Sequence, residues 1–246
     1  MKLFLTSSIR DNYEDNGIRI PCTLDESNNF LNNLRRYWPI NPKCLIISSD
    51  PENEDINDYF KGIFEQAFKM SNFELSKIDI CDRRNESKLS KIIYDYNILI
   101  LSGGHVPTQN EFFKRINLKE LMKKYEGIVI GISAGTMNCA NVVYAQPELD
   151  GEAINPKYKR YLDGLNLTKI NILNHFQYIK NLTIDGLRIL EDIALKDSSK
   201  RSFYALVDGA YILVDKNKSI LYREAYLIKD GIITKVCEND KSIEIL

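Results

Sequence analysis

Two four-residue runs, Cys44-Leu45-Ile46-Ile47 and Ile98-Leu99-Ile100-Leu101, contain no polar side chain at all. A strand with one wet face alternates apolar and polar residues, because successive side chains point to opposite sides. Strands apolar throughout are buried on both faces, which requires a largely parallel sheet covered by helices on each side. The surrounding sequence agrees. Leu3–Thr6, Lys43–Ser49, Glu74–Ile80, Asn97–Ser102 and Gly127–Ser133 read as strands. Between them, amphipathic stretches near Asp25–Tyr37, Ile56–Met70, Glu86–Tyr94 and Gln109–Tyr125 read as helices, the last broken near Asn117. Thr23 and Glu26 have capping-box spacing for the start of the first helix. Alternating β and α elements of these lengths predict an α/β sandwich.

The texture changes after Asn141. Tyr144 to Asp163 is polar, carries two prolines and has no sustained period, which predicts a long loop of functional interest. Leu182–Leu195 has apolar residues at helical spacing, and Phe203 to Leu246 reads as strands and hairpins with turns at Asp208-Gly209, Asp215–Lys218 and Asp230-Gly231. Nothing resembles a repeat or linker, so residues 1–246 are expected to form a single domain. With 33 basic against 34 acidic residues, the chain lacks the cationic surplus of a general nucleic-acid or membrane-surface binder. Neither class of partner is expected. The opening Met1–Thr6 segment is too short for a signal-peptide core. Five scattered cysteines form no CxxC pair, and the two histidines add no ligand spacing, so the sequence predicts reduced thiols, a cytoplasmic location, and neither metal nor cofactor.

The segment with chemistry is Gly127 to Met137. An apolar strand runs directly into Gly131-Ile132-Ser133-Ala134-Gly135, followed by residues able to form a helix. This is the nucleophile-elbow pattern in its required context, a sharp strand-to-helix turn that exposes the serine. Small neighbours let the backbone pass closely, and the helix amides point at the site, where they can stabilise an oxyanion. A serine hydroxyl needs a base. His175 ends the apolar segment Ile172–Leu173, and His105 follows Gly103-Gly104 at the end of another strand. In a parallel sheet all three lie at the carboxyl edge, so either histidine could approach Ser133. Between Ser133 and His175 the loop supplies Glu148, Asp150 and Glu152 as carboxylates to orient an imidazole. The order serine, acid, histidine matches α/β-hydrolases, but the long stretch after His175 and the short spacing between the three do not fit that fold.

With Gly103-Gly104, Gly131–Gly135 and Asn174-His175-Phe176 in place, the chain resembles the peptidase E (aspartyl dipeptidase) family of serine peptidases, with cyanophycinase as a more distant relative. The resemblance covers most of the chain and is loosest after Leu195. It implies a three-layer α/β sandwich like the class I glutamine amidotransferases, with a mostly parallel central sheet and C-terminal β-hairpins. It also implies Ser133 as nucleophile, His175 as base, Glu148 as acid, and Gly104 and Ala134 as oxyanion amides. Gly103 and His105 become candidates for the substrate pocket. The implied reaction is hydrolysis of short peptides, those with N-terminal aspartate first, by a monomer or homodimer. A cyanophycinase-like hydrolase or amidase on the same fold, or a non-catalytic small-ligand binder, are the alternatives.

Overall fold

A computed structural model describes residues 1–245. The main sheet has eight strands in the order Ser242–Glu244, Lys218–Tyr222, Tyr211–Asp215, Lys2–Thr6, Ile128–Ile132, Ile98–Leu101, Lys43–Ile47 and Lys77–Cys81. The last five are mutually parallel, and the first three attach antiparallel at the Lys2–Thr6 side.

Burial on both faces follows the sequence pattern residue by residue. Leu3, Leu5, Leu45, Ile47, Leu99, Leu101 and Val129 face one side, where Phe112, Phe113, Leu118 and Met122 pack over them from the helices Val106–Arg115 and Leu118–Met122. Phe4, Cys44, Ile46, Ile98, Ile100 and Ile130 face the other, beneath Phe30, Leu34, Phe64 and Phe68 from the helices Phe30–Tyr37 and Glu54–Met70. This is the three-layer sandwich. Each such side chain removed from water stabilises the fold by roughly 1.5–3 kcal/mol, so a polar residue in any of these strands would be expensive.

A second sheet holds the other half of the site. Its order is Ile172–Leu173, Phe203–Leu206, Ala225–Lys229 and Ile232–Cys237, with only the first pair parallel. Its core combines Leu173, Phe203, Ala205 and Ile228 with Tyr144, Phe176, Ile189 and Ile193.

Several elements differ from the sequence reading. The first helix begins at Phe30, not Asp25. Asp25 instead accepts from the Ser27 amide and hydroxyl and pairs with Arg223, which fixes a turn ahead of the helix, and the helix is entered at Asn29 with no side-chain cap. Leu182–Leu195 is not one helix. It opens as the hairpin Thr183–Ile184/Leu187–Arg188, turning at Asp185-Gly186 with positive φ at both residues, and continues as the wide-turn helix Ile189–Ala194. A two-residue Asp-Gly turn is a strong hairpin signal, and it overrides the helical spacing. The break at Asn117 is present, with Asn117 at φ 52° between the two helices. The polar stretch after Asn141 is closed at its base by pairing of Val142–Tyr144 with Tyr161–Asp163. Among the described residues no helix is long and apolar enough to cross a membrane.

Candidate active site

Ser133 sits between the end of the strand Ile128–Ile132 and the helix Ala134–Asn138, at φ 50° and ψ −112°. An L-residue there is strained by about 1–3 kcal/mol and persists only where its surroundings over-determine it. Those surroundings are visible. The Ser133 amide donates to the Thr6 carbonyl at 3.0 Å, and its carbonyl accepts from Met137 N–H at 3.1 Å and Asn174 Nδ2 at 2.9 Å. Gly135 lies so close to the neighbouring strand that a Cβ would sit 2.0 Å from the Leu101 carbonyl oxygen. Only glycine admits this packing.

His175 Nε2 is 2.8 Å from Ser133 Oγ, and His175 Nδ1 is 2.6 Å from Asp208 Oδ1. The serine, histidine and carboxylate form one continuous chain. Asp208 is further fixed by the Ser7 hydroxyl, which donates to Oδ1 at 2.9 Å, while Ser7 Oγ accepts from the His175 amide at 2.9 Å. The Asp208 amide donates to Gln177 Oε1 at 3.1 Å. Partial burial pushes the Asp208 carboxyl up, but the hydrogen bond and charge of His175, with Ser7 and Gln177, hold it below the ordinary carboxylate range.

The acid on the histidine is therefore Asp208 and not Glu148. The topology explains the difference. Ile172–Leu173 pairs in parallel with Phe203–Leu206, Leu173 opposite Ala205. The two chains leave the sheet at the same edge, one to His175 and the other to Asp208. In sequence, Asp208-Gly209 marks only a turn, and the pairing of a two-residue strand with a distant one gives no local signal. Ser7 was equally without a signal of chemistry, and Asn174 was marked only as part of the Asn174-His175-Phe176 resemblance, with no role of its own.

The other candidates separate clearly. Glu148 lines the same cavity as Ser133 and His175, with Oε1 accepting from Gln146 Nε2 at 3.0 Å. Burial pushes its carboxyl up to about 7, with the Val106 amide and His175 pulling down and Glu152 pushing further up. Glu152 turns away, bonding His105 Nε2 at 2.9 Å and the amides of Glu148 and Leu149 at 2.8 and 3.0 Å. His105 has its second ring nitrogen 2.8 Å from Thr108 Oγ1. Both nitrogens are engaged away from Ser133, so His105 anchors the loop rather than the nucleophile. Asp150 is exposed.

Gly103 and Gly104 border Ser133. A Cβ on Gly103 would come 3.3 Å from Ser133 Cβ, and the Gly103 carbonyl accepts from Ser49 Oγ at 2.6 Å. The cavity holds about 680 Å³ and is lined by Gly103, Gly104, Ser133, Glu148, His175 and Arg19, among others. That is within the size range of small-molecule sites.

A strained serine on an elbow, bonded to a histidine that is bonded to an aspartate at the carboxyl edge of a parallel sheet, defines a serine-hydrolase type of site. The profile of peptidase family S51 matches residues 43–222. The chain belongs to that family, and so to a family of peptidases. Curated protein sequences give no significant match. Among solved structures, the crystal structure of a peptidase from an acI-B1 Actinobacterium aligns with TM-score 0.66 at 14% identity, over 99% of this chain and 96% of the other. A putative peptidase E protein from Listeria monocytogenes EGD-e aligns with TM-score 0.55 at 15% identity, over 96% of this chain and 98% of the other. Both share the fold.

Proposed function

We propose that this chain is a serine-type dipeptidase that hydrolyses short peptides through Ser133, His175 and Asp208. The observation that carries the reading is the unbroken contact from Ser133 Oγ through the two nitrogens of His175 to Asp208. His175 takes the Ser133 proton as Oγ attacks the peptide carbonyl, and Asp208 stabilises the imidazolium that forms. The amides of Gly104 and Ala134 receive the oxyanion. Ala134 opens its helix, so its N–H has no partner within that helix, and Gly104 carries no side chain of its own to bar close approach to its amide. His175 then protonates the leaving amine, and water repeats the sequence on the acyl-enzyme.

For the substrate, an N-terminal aspartate is the first choice. Arg19 supports it as the one guanidinium or ammonium group among the described residues lining the cavity. Five unpaired cysteines support a reducing compartment, the cytoplasm. The test is a panel of Asp-Xaa, Glu-Xaa and neutral dipeptides, incubated with wild type and Ser133→Ala and read by mass spectrometry. Cleavage by wild type alone, fastest for Asp-Xaa, is expected. Equal cleavage by both proteins would overturn the Ser133 mechanism, and a neutral preference would overturn the aspartyl reading.

A further inference from the structure

The triad leaves the cavity carboxylate of Glu148 unused. Glu148 is half-buried, shares the cavity with Ser133 and His175, and has no cationic side chain bonded to it. Its carboxylate meets two neutral donors, the Gln146 side-chain amide and the Val106 backbone amide. A carboxylate in such a place costs free energy unless something charged or strongly donating arrives to meet it. Other acids around the cavity, Asp11 and Asp50, add to the negative potential there, against the single cation Arg19.

We infer that Glu148 is the specificity residue that receives the free α-ammonium group of the substrate residue whose carbonyl is attacked by Ser133. The inference rests on the peptidase reading of the site. Three features of position support it. Glu148 is held beside Val106, two residues beyond Gly104, so it stands on the side of the cavity where the acyl carbonyl is received. In any amino acid the α-nitrogen lies only about 2.5 Å from its carbonyl carbon, so a group that reads the amine must sit near the oxyanion amides, as Glu148 does. The loop carrying Glu148 is also built to hold that position. Glu152 clamps the Glu148 and Leu149 amides and pairs with His105, while Asp185 caps the amides of Gly151 and Ala153 at 2.8 and 3.0 Å.

The chemistry is consistent. Without a ligand, burial raises the Glu148 carboxyl to about 7. An incoming ammonium stabilises the ionised form, so binding and ionisation reinforce one another. The charged or titratable groups around it are Glu152, His105 bonded to Glu152, Tyr158 and His175. Among these His175 is already committed to Ser133 and Asp208. An N-acylated substrate would instead leave the carboxylate unpaired, which is how a buried polar group rejects a wrong ligand.

The experiment compares Asp-Leu and Ala-Leu with their N-acetylated forms on wild type, Glu148→Gln and Glu148→Asp, each checked for folding by its melting curve. Wild type is expected to favour the free amine by about 100-fold or more in kcat/KM. Glu148→Gln should lose roughly 30-fold or more on free-amine peptides, chiefly through KM, and change the acetylated ones by less than about threefold. Glu148→Asp should restore part of the preference. Equal loss on both peptide classes, or no wild-type preference, would overturn the assignment. Calorimetric binding of alaninamide and N-acetylalaninamide to Ser133→Ala, with and without Glu148→Gln, separates this inference from the peptidase reading. Amine-dependent binding that Glu148→Gln abolishes sustains it even if no peptide is cleaved, and indifference to the amine refutes it even if peptides are cleaved.

Discussion

Replacing Asp208 with Asn keeps the size and reach of the side chain and removes its charge. His175 Nδ1 is 2.6 Å from Asp208 Oδ1, and their side chains are 35% and 34% exposed. In the proposed mechanism His175 becomes an imidazolium facing that carboxylate. With solvent at the pair, an effective dielectric near 20 applies, and two unit charges about 4 Å apart then interact by about 4 kcal/mol. At about 1.36 kcal/mol per decade this is a rate loss near 10³. Asn can also donate to Nδ1, which leaves the proton on Nε2 and removes the lone pair that must accept the Ser133 proton. That tautomer effect moves the loss toward ~10⁴. The expected result is a kcat reduced by 10³–10⁴, roughly, with KM within about threefold. The assay is the initial rate of amino-acid release from the best-cleaved dipeptide, with melting curves to confirm an intact fold. A folded Asp208→Asn enzyme within tenfold of wild type would refute the argument.

Other perturbations follow from the same geometry. Glu148 has its folded pKa raised to about 7 from 4.5, so between those values the folded state holds a proton that the unfolded state has released. Stability then falls as pH rises across that window and levels off above it, and Glu148→Gln should be more stable than wild type at pH 8 by up to ~3 kcal/mol, measured by urea unfolding. Asp208 has the opposite sign. Its carboxyl is held low, so its contribution is present above about pH 4 and is lost as pH falls through its folded value, and the gap in urea midpoint between wild type and Asp208→Asn should shrink there. Gly135→Ala places a methyl 2.0 Å from the Leu101 carbonyl oxygen and should destabilise by ~3 kcal/mol while displacing Ser133 enough to abolish activity, read by melting temperature and turnover. Ser133→Gly relieves the strain at φ 50° and should raise thermal stability by about 1 kcal/mol while eliminating turnover.

What the sequence disclosed was what depends on near neighbours. The elbow is legible because strand, small residues, serine and helix are contiguous from Gly127 to Met137. The base was narrowed to two histidines, each ending a strand, and the resemblance carried by Asn174-His175-Phe176 singled out His175. The layered fold followed from runs such as Ile98–Leu101, whose four side chains are buried alternately in the two cores. Asp208 was illegible for the converse reason. Its turn character was plain, but its role depends on two short strands pairing across some thirty residues. The expected acid, Glu148, does enter the cavity, but without reaching the histidine, because Asp208 already occupies Nδ1. Leu182–Leu195 shows a local conflict, in which apolar spacing suggested a helix and Asp185-Gly186 imposed a hairpin.

The central claim is that Ser133 carries the acyl group. The direct measurement mixes wild type with the ethyl ester of the best-cleaved substrate's N-terminal residue, quenches in acid at short times and maps peptides by mass spectrometry. The mechanism predicts an acyl adduct on the peptide containing Ser133, absent from Ser133→Ala and formed far more slowly by His175→Ala. Turnover with the adduct on another residue, or the same adduct in Ser133→Ala, would contradict it.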